Sequence, residues 1–416
     1  MTSAFPSGSG TRRRLLFLLP FPPRLDDVHG GGRVMAQLVH GLSGRHDVAA
    51  IYLRGDGEPP MDDALRTRLD RIDEISNPQH VSFGMRLKRR TAVLRGVPGW
   101  ASFTEVGHFA RRTREIAVEW RPEIVQFEYH VMGQYAASLP DRRAIRILSE
   151  YEAGVLAARE HLAMGGDGKA LGAALQRRAW ARFERRVIAD VDAVIVFSER
   201  DRAALTPLSS GRPIVRIGIG THLPATALDP LGTSSPARLV FVANFMHPPN
   251  VDAAERLVTH IFPRVRARVP SAVLAIVGAN PPASLTSSAP DGVTVTGRVP
   301  DIVPWMNDAA VIVAPLRVGA GMRVKIVEAL AYGKAVVASL RGLEGLDVTD
   351  GVHVAVAETD AEFVARIVEL LESAHMRATL AGNAREWACA NLGVDRWLDA
   401  YDALYASLAR ARIERP

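Results

Sequence analysis

Gly319 to Ser339 reads G-A-G-M-R-V-K-I-V-E-A-L-A-Y-G-K-A-V-V-A-S. A glycine-containing loop runs into a short helical segment bearing Arg323, Lys325 and Glu328. Gly333 closes that helix, and the apolar run Ala335–Ala338 follows as a buried strand. A loop-to-helix junction presents free backbone N–H groups and the positive end of a dipole, which suits a phosphate. Arg323 and Lys325 add fixed positive charge beside it. Lys325 and Glu328 are three apart and share a helix face. A carboxylate one turn below a phosphate site is placed to accept hydrogen bonds from ribose hydroxyls. The competing reading is a surface ion pair on an ordinary α/β helix. Only four of the 51 basic residues are lysines, and Lys325 is one of them. A compact ammonium and an arginine fork are not interchangeable.

The 416 residues exceed one typical domain, and with nearly half of them apolar each of two domains can bury a core. The single cysteine, Cys389, excludes a disulfide framework and a cysteine-based zinc site, and fits a reducing cytosol. The apolar run Leu15–Leu19 after Arg12–Arg14 stops at Pro20, so it reads as a first buried strand and not as a targeting segment. No run approaches the length of a membrane span. Charge is uneven: residues 1–225 carry a net +8 and residues 226–416 a net −2. The excess concentrates between Arg86 and Arg114, where eight basic residues face only Glu105. A solvated helix face, an anionic acceptor and an anionic membrane surface are the readings of that stretch. Nucleic acid is not expected, because no binding module accompanies it.

Short apolar runs alternate with helical patterns along the whole chain. Strands are expected near 14–19, 47–53, 123–127, 145–148, 193–197 and 214–217, then near 239–242, 273–277, 293–296, 310–314, 335–338 and 352–356. Helices are expected between them, for example Gly32–Leu42 and Arg177–Ala189. Buried β-branched runs separated by helices predict an α/β fold with parallel sheets covered on both faces. Thr221–Ala237, rich in Pro, Thr, Ser and Gly, reads as a linker. The expected organisation is an N-terminal Rossmann-like domain over 1–225, a second over 226–395, and a last helix over 396–416 that crosses back to the first. Ligands of such sheets bind at the carboxyl ends of the strands. Gly30-Gly31-Gly32-Arg33, after the first strand, lets a backbone approach a ligand closely, although it lacks dinucleotide-site spacing.

F-V-A-N-F-M-H-P-P-N-V-D-A-A (Phe241–Ala254), V-T-G-R-V-P-D (Val295–Asp301), Gly319–Val337 and R-G-L-E-G-L (Arg341–Leu346) together carry a resemblance. The chain resembles the retaining glycosyltransferases of family four, which have the GT-B fold: two doubly wound Rossmann-like domains around a cleft. The likeness covers most of the second domain and, more loosely, the first. It implies a nucleotide-diphosphate sugar bound mainly by the second domain, with Glu328 on the ribose and the backbone of Gly319, Ala320, Gly321 and Met322 facing the diphosphate and sugar. Arg298 and Val299 fall where the family's base pocket lies. Gly31, Gly32 and Asn244 join the expected donor-binding set.

The departures are specific. The family's first acidic position is Ala320 here. Its arginine and lysine for the diphosphate match Asn244 and Asn250. Arg323 and Lys325 are the expected replacements, so charge compensation has moved to the helix start. Many relatives place a histidine just after the strand matching 123–127, where this chain offers Glu128 and His130, on one side if the strand continues. Those four residues are the catalytic candidates. The triplet Asp190-Val191-Asp192 mimics a metal motif, but its place at the entry to an apolar strand reads as a cap, so no metal and no cofactor are expected. The resemblance implies retention through front-face attack, with the leaving phosphate taking the acceptor's proton. The expected partners are a nucleotide sugar and an acceptor, anionic or lipid-linked, for a cytoplasmic enzyme of glycan biosynthesis in peripheral membrane contact. A catalytically silent sugar-nucleotide binder and a phosphorylase on the same fold are the alternatives.

Overall fold

The computed structural model describes residues 11–27, 30–77, 91–164, 170–287, 289–319 and 323–414. Two wholly parallel sheets dominate it. The first comprises β1 (Arg14–Leu19), β2 (Asp47–Gly55), β3 (Arg71–Asn77), β4 (Ile124–Glu128), β5 (Ile145–Glu150), β6 (Ala193–Val196) and β7 (Ile214–Arg216), in the order β3-β2-β1-β4-β5-β6-β7. The second comprises β8 (Arg238–Val242), β9 (Val273–Val277), β10 (Val293–Val295), β11 (Ala309–Ala314), β12 (Val336–Ala338) and β13 (Ala355–Val356), in the order β10-β9-β8-β11-β12-β13. The continuous apolar runs become central strands because helices cover both of their faces. In β1, the five residues Leu15–Leu19 are all fully buried. This is the two-domain doubly wound arrangement that the alternating pattern predicts.

One strand was absent from the sequence expectation. The edge strand β3, R-I-D-E-I-S-N, buries only Ile75. Its polar positions are ion-paired: Arg71 and Arg112 both reach Asp73, at 3.0 and 2.5 Å. Charged side chains on an edge strand block pairing with another chain, and they also hide the strand from a search for apolar runs.

The last helix, Val394–Ile413, lies on the first domain. Gly220 and Gly41 make room for it, since a Cβ on either would fall 2.4 Å from Trp397 and 2.8 Å from Leu398. Asp402 then binds Arg45 at 2.8 Å and His46 at 2.7 Å. One buried apolar cluster runs from Leu15 and Val34 through Trp397 and Tyr401 to Leu330 and Val336, so the two sheets share a core through this helix. Deeper still, the Tyr405 hydroxyl donates to Gln126 on β4, whose own amide donates to Glu128 at 2.6 Å.

Tyr405→Phe removes that hydroxyl and leaves a buried carbonyl oxygen without a partner. A loss of about 1–3 kcal/mol in unfolding free energy is expected, measured by denaturant titration. A variant as stable as the parent would show that the helix is held by apolar contact alone.

Candidate active site

The carboxyl ends of both sheets face each other across a cleft of about 1000 Å³. From the first domain come Tyr129 after β4, Tyr151 and Glu152 after β5, and the loop after β1. From the second come Asn244 after β8, Arg298 after β10, and Gly319, Arg323 and Lys325 after β11.

Lys325 sits in the first turn of the helix Val324–Ala331, whose apolar face, Ile326, Val327 and Leu330, is buried. Packing of that face turns Lys325 toward the cleft. Its Nζ donates to Glu328 Oε2 at 3.0 Å, and the other carboxylate oxygen accepts from Arg33 of the first domain at 2.6 Å. Glu328 is thus gripped from both domains, with 17% of its side chain exposed. Each carboxylate oxygen still has a lone pair for a further donor. Burial pushes the Lys325 ammonium below its ordinary range, and Glu328 partly offsets this. Arg33 is the site residue that sequence reasoning left without a role; its signal was its place directly after three glycines.

Arg323 also lines the cleft, but its guanidinium is tied to the loop itself. It donates to the Gly319 carbonyl at 2.7 Å and to that of Arg341 at 3.2 Å. The Gly319 N–H, expected to face a diphosphate, donates to Glu160 of the first domain at 2.7 Å. Ala320, Gly321 and Met322 lie outside the described residues. Asn244 and Asn250 shape their own loop: Asn250 donates to the Asn244 carbonyl at 2.8 Å, and the Asn244 side chain accepts from the Met246 N–H at 3.1 Å. Arg298 is exposed on the cleft wall, while Val299 packs against the shared core.

The glycines after β1 make room for neighbouring side chains. A Cβ on Gly31 would lie 2.2 Å from the Tyr129 hydroxyl, and one on Gly32 would lie 2.1 Å from Asp27. A Cβ on Gly30 would lie 2.9 Å from Val324, across the domain boundary. Their missing side chains let the two domains and the Tyr129 ring close together. Gly31 still touches the cleft; Gly32 is not among its lining residues.

Glu128 and His130 do not reach the cleft. The strand ends at Glu128, and Tyr129 takes a left-handed φ of +67°. That conformation costs on the order of 1–3 kcal/mol in a residue with a side chain. It breaks the alternation, so Tyr129 faces the cleft and its neighbours turn inward. Glu128 is fully buried and accepts from Gln126, Ser149 and Tyr151 at 2.6, 3.0 and 2.6 Å. His130 lies between the edges of Trp100 and Trp180, with Nδ1 3.1 Å from Glu150. Burial pushes the Glu150 carboxyl well up and the His130 imidazole down. Neither residue is placed to touch a reacting atom.

Asp190 and Asp192 lie at the opposite end of the sheet, before β6. Asp192 accepts from the Arg146 N–H at 2.9 Å, and Asp190 pairs with Arg142 at 3.2 Å. In the basic stretch, Arg86, Lys88, Arg89 and Arg90 lie outside the described residues. Arg112 is committed to Asp73 and Glu115 and Arg114 to the Ser138 carbonyl, and neither lines the cleft. No described helix is long and apolar enough to cross a membrane.

Residues 29–220 match the glycosyl transferase 4-like domain, and residues 236–373 match the glycosyl transferases group 1 family. No curated protein matches the sequence. Among solved structures, the sucrose-phosphate synthase of Thermosynechococcus elongatus superposes with a TM-score of 0.74 at 16% identity, over 96% of this chain and 100% of that one. HepE of Anabaena, solved in complex with UDP and glucose, gives 0.62 at 15%, over 95% and 100%. WaaG, a glycosyltransferase involved in lipopolysaccharide biosynthesis, gives 0.64 at 13%, over 93% and 99%. The chain is a glycosyltransferase of the GT-B fold, its two sheets being the two domains of that architecture.

Behind the cleft, Glu184 accepts from the Gly154 and Val155 N–H groups, yet burial first and then the nearby Glu150 raise its carboxyl to about 8. Its ordinary value is 4.5, so folding favours the protonated form. That contribution is complete below the unfolded value and is lost as pH rises toward about 8. Stability should therefore fall across this window more steeply in the parent than in Glu184→Gln, the difference reaching at most about 1.4 kcal/mol per pH unit. Parallel pH profiles in denaturant unfolding would contradict the assignment.

Proposed function

We propose that this protein transfers a sugar, with retention and without a metal ion, from a nucleoside-diphosphate sugar to an acceptor hydroxyl. The observation carrying this reading is the Lys325–Glu328–Arg33 cluster at the mouth of the second sheet. It pairs a cation facing the cleft with a carboxylate held rigidly one turn behind it. Glu328 takes the ribose hydroxyls through its remaining lone pairs. Lys325 faces the diphosphate. Asn244, Asn250 and the exposed Arg298 provide the floor under the nucleoside. Uridine diphosphate is the first nucleotide to test, because HepE, of the same fold, holds it.

As the anomeric C–O bond breaks, negative charge grows on the leaving diphosphate. A preorganised ammonium in the cleft stabilises that charge more than it stabilises the ground state. Arg323 acts differently from a free phosphate clamp. It fastens the loop between Gly319 and Arg341 and places positive charge behind it. Glu160, which holds the Gly319 N–H from the first domain, must yield if a phosphate takes that donor, so donor binding and domain closure are coupled. The acceptor oxygen then bonds to the anomeric carbon, and its proton passes to the leaving phosphate oxygen.

Lys325→Ala should slow turnover by roughly 10²–10³, by analogy with the loss of one oxyanion donor, while UDP affinity falls much less. Steady-state kinetics beside calorimetric UDP binding separates the two, and turnover at the parent rate would refute the role. Because these side chains supply the positive charge, activity should persist in EDTA. Its abolition, with rescue by manganese, would overturn the metal-independent reading.

A further inference from the structure

The two walls of the cleft carry opposite charge. The second domain lines it with Arg298, Arg323 and Lys325 and with no carboxylate among the described residues. The first domain lines it with five carboxylates and one arginine, Arg24, which is itself bound to Asp26 and Asp62. The diphosphate belongs on the cationic wall. An anion entering beside it from the first domain would meet like charge at short range.

The same wall carries aromatic rings. Tyr129 stacks on Tyr151 with centroids 4.1 Å apart and planes 7° apart. Phe21 and Trp100 meet Tyr129 edge-on at 5.3 and 5.7 Å. Trp100 keeps 39% of its surface exposed. The backbone strain at Tyr129 and the empty Cβ position of Gly31 both serve to put this ring in place. Such rings offer broad apolar faces with polar tips, suited to a ligand with an apolar face and a polar rim.

Glu152 stands beside them. It lines the cleft and is part-buried, and its carboxylate makes no hydrogen bond or ion pair with any described residue. Its fellows on the wall are engaged: Glu160 by Arg200 and the Gly319 N–H, Glu58 by the Gly55 N–H. A carboxylate on the cleft wall with no protein partner keeps its lone pairs open to the hydroxyls of a ligand.

Resting on the transferase reading, we propose that the first-domain wall selects an uncharged saccharide acceptor, its ring laid on Trp100 and the Tyr129–Tyr151 stack and its hydroxyls donating to Glu152. This replaces the anionic acceptor suggested by the basic stretch, none of whose described arginines lines the cleft.

The test compares pairs of nitrophenyl glycosides, each hexoside against the matching uronide, which differs by one carboxylate. With UDP-sugar donors and the full chain, hexosides should exceed uronides in kcat/KM by tenfold or more, about 1.4 kcal/mol. Glu152→Gln removes one negative charge from the wall, and the preference should fall severalfold. The ratio cancels any change in donor handling or in the folded fraction of the variant. Uronides used as well as hexosides by the parent, or a preference unchanged in Glu152→Gln, would overturn the inference. So would donor hydrolysis without transfer to any hexoside. A chain that neither binds UDP nor hydrolyses a donor would instead overturn the transferase reading, and this inference with it.

Discussion

The carboxylate of Glu328, held between Lys325 on its own helix and Arg33 on the other domain, fixes how the two halves of this molecule meet. Both partners are part-buried, so solvent screens the pair less than it would on the surface. Desolvation offsets much of the Coulomb gain, and such a contact sets geometry more than it adds stability. What it sets here is the approach of two helix starts. Gly30 comes close enough to Val324 that a methyl group would not fit. Lys325 is thereby turned toward the cleft from one side while Tyr129 is placed on the other. Arg216 to Asp347 and Arg200 to Glu160 and Glu344 extend the same arginine-to-carboxylate pattern along the boundary.

A cleft with one cationic and one anionic wall follows from where these pairs leave charge over. On the second domain Lys325 and Arg298 remain on the cleft wall. On the first, arginines are consumed behind the wall and Glu152 is left over in front. The last helix makes this arrangement durable. It closes the shared core and ends in the Tyr405–Gln126–Glu128 chain directly beneath the aromatic wall. Burial raises the Glu128 and Glu150 carboxyls there, and Gln126, Ser149 and Tyr151 donate to Glu128.

The architecture was legible because central strands of parallel sheets are apolar on both faces, and runs such as Leu15–Leu19 and Val273–Val277 announce themselves. The edge strand β3 was not, because its charged positions serve the boundary with solvent. At the site, Lys325 and Glu328 could be paired from helical spacing alone. Glu128 and His130 could not be placed, since the two-residue alternation assumed a strand that continues, and the left-handed turn at Tyr129 stops it. No local sequence signal announces a positive φ at a tyrosine. Arg33 and Glu152 were invisible for another reason: their partners, or the lack of them, are decided by a domain boundary crossing hundreds of residues.

The most direct measurement is a calorimetric titration of UDP into the parent chain and into Glu328→Ala. The carboxylate that joins the domains is also the one assigned to the ribose. A charge-assisted hydrogen bond of this kind contributes about 1.5–3 kcal/mol, so affinity should fall roughly tenfold to a hundredfold or more. Parent-like UDP affinity in a folded Glu328→Ala protein would contradict the account, leaving Glu328 as a structural latch beside a nucleotide site that lies elsewhere.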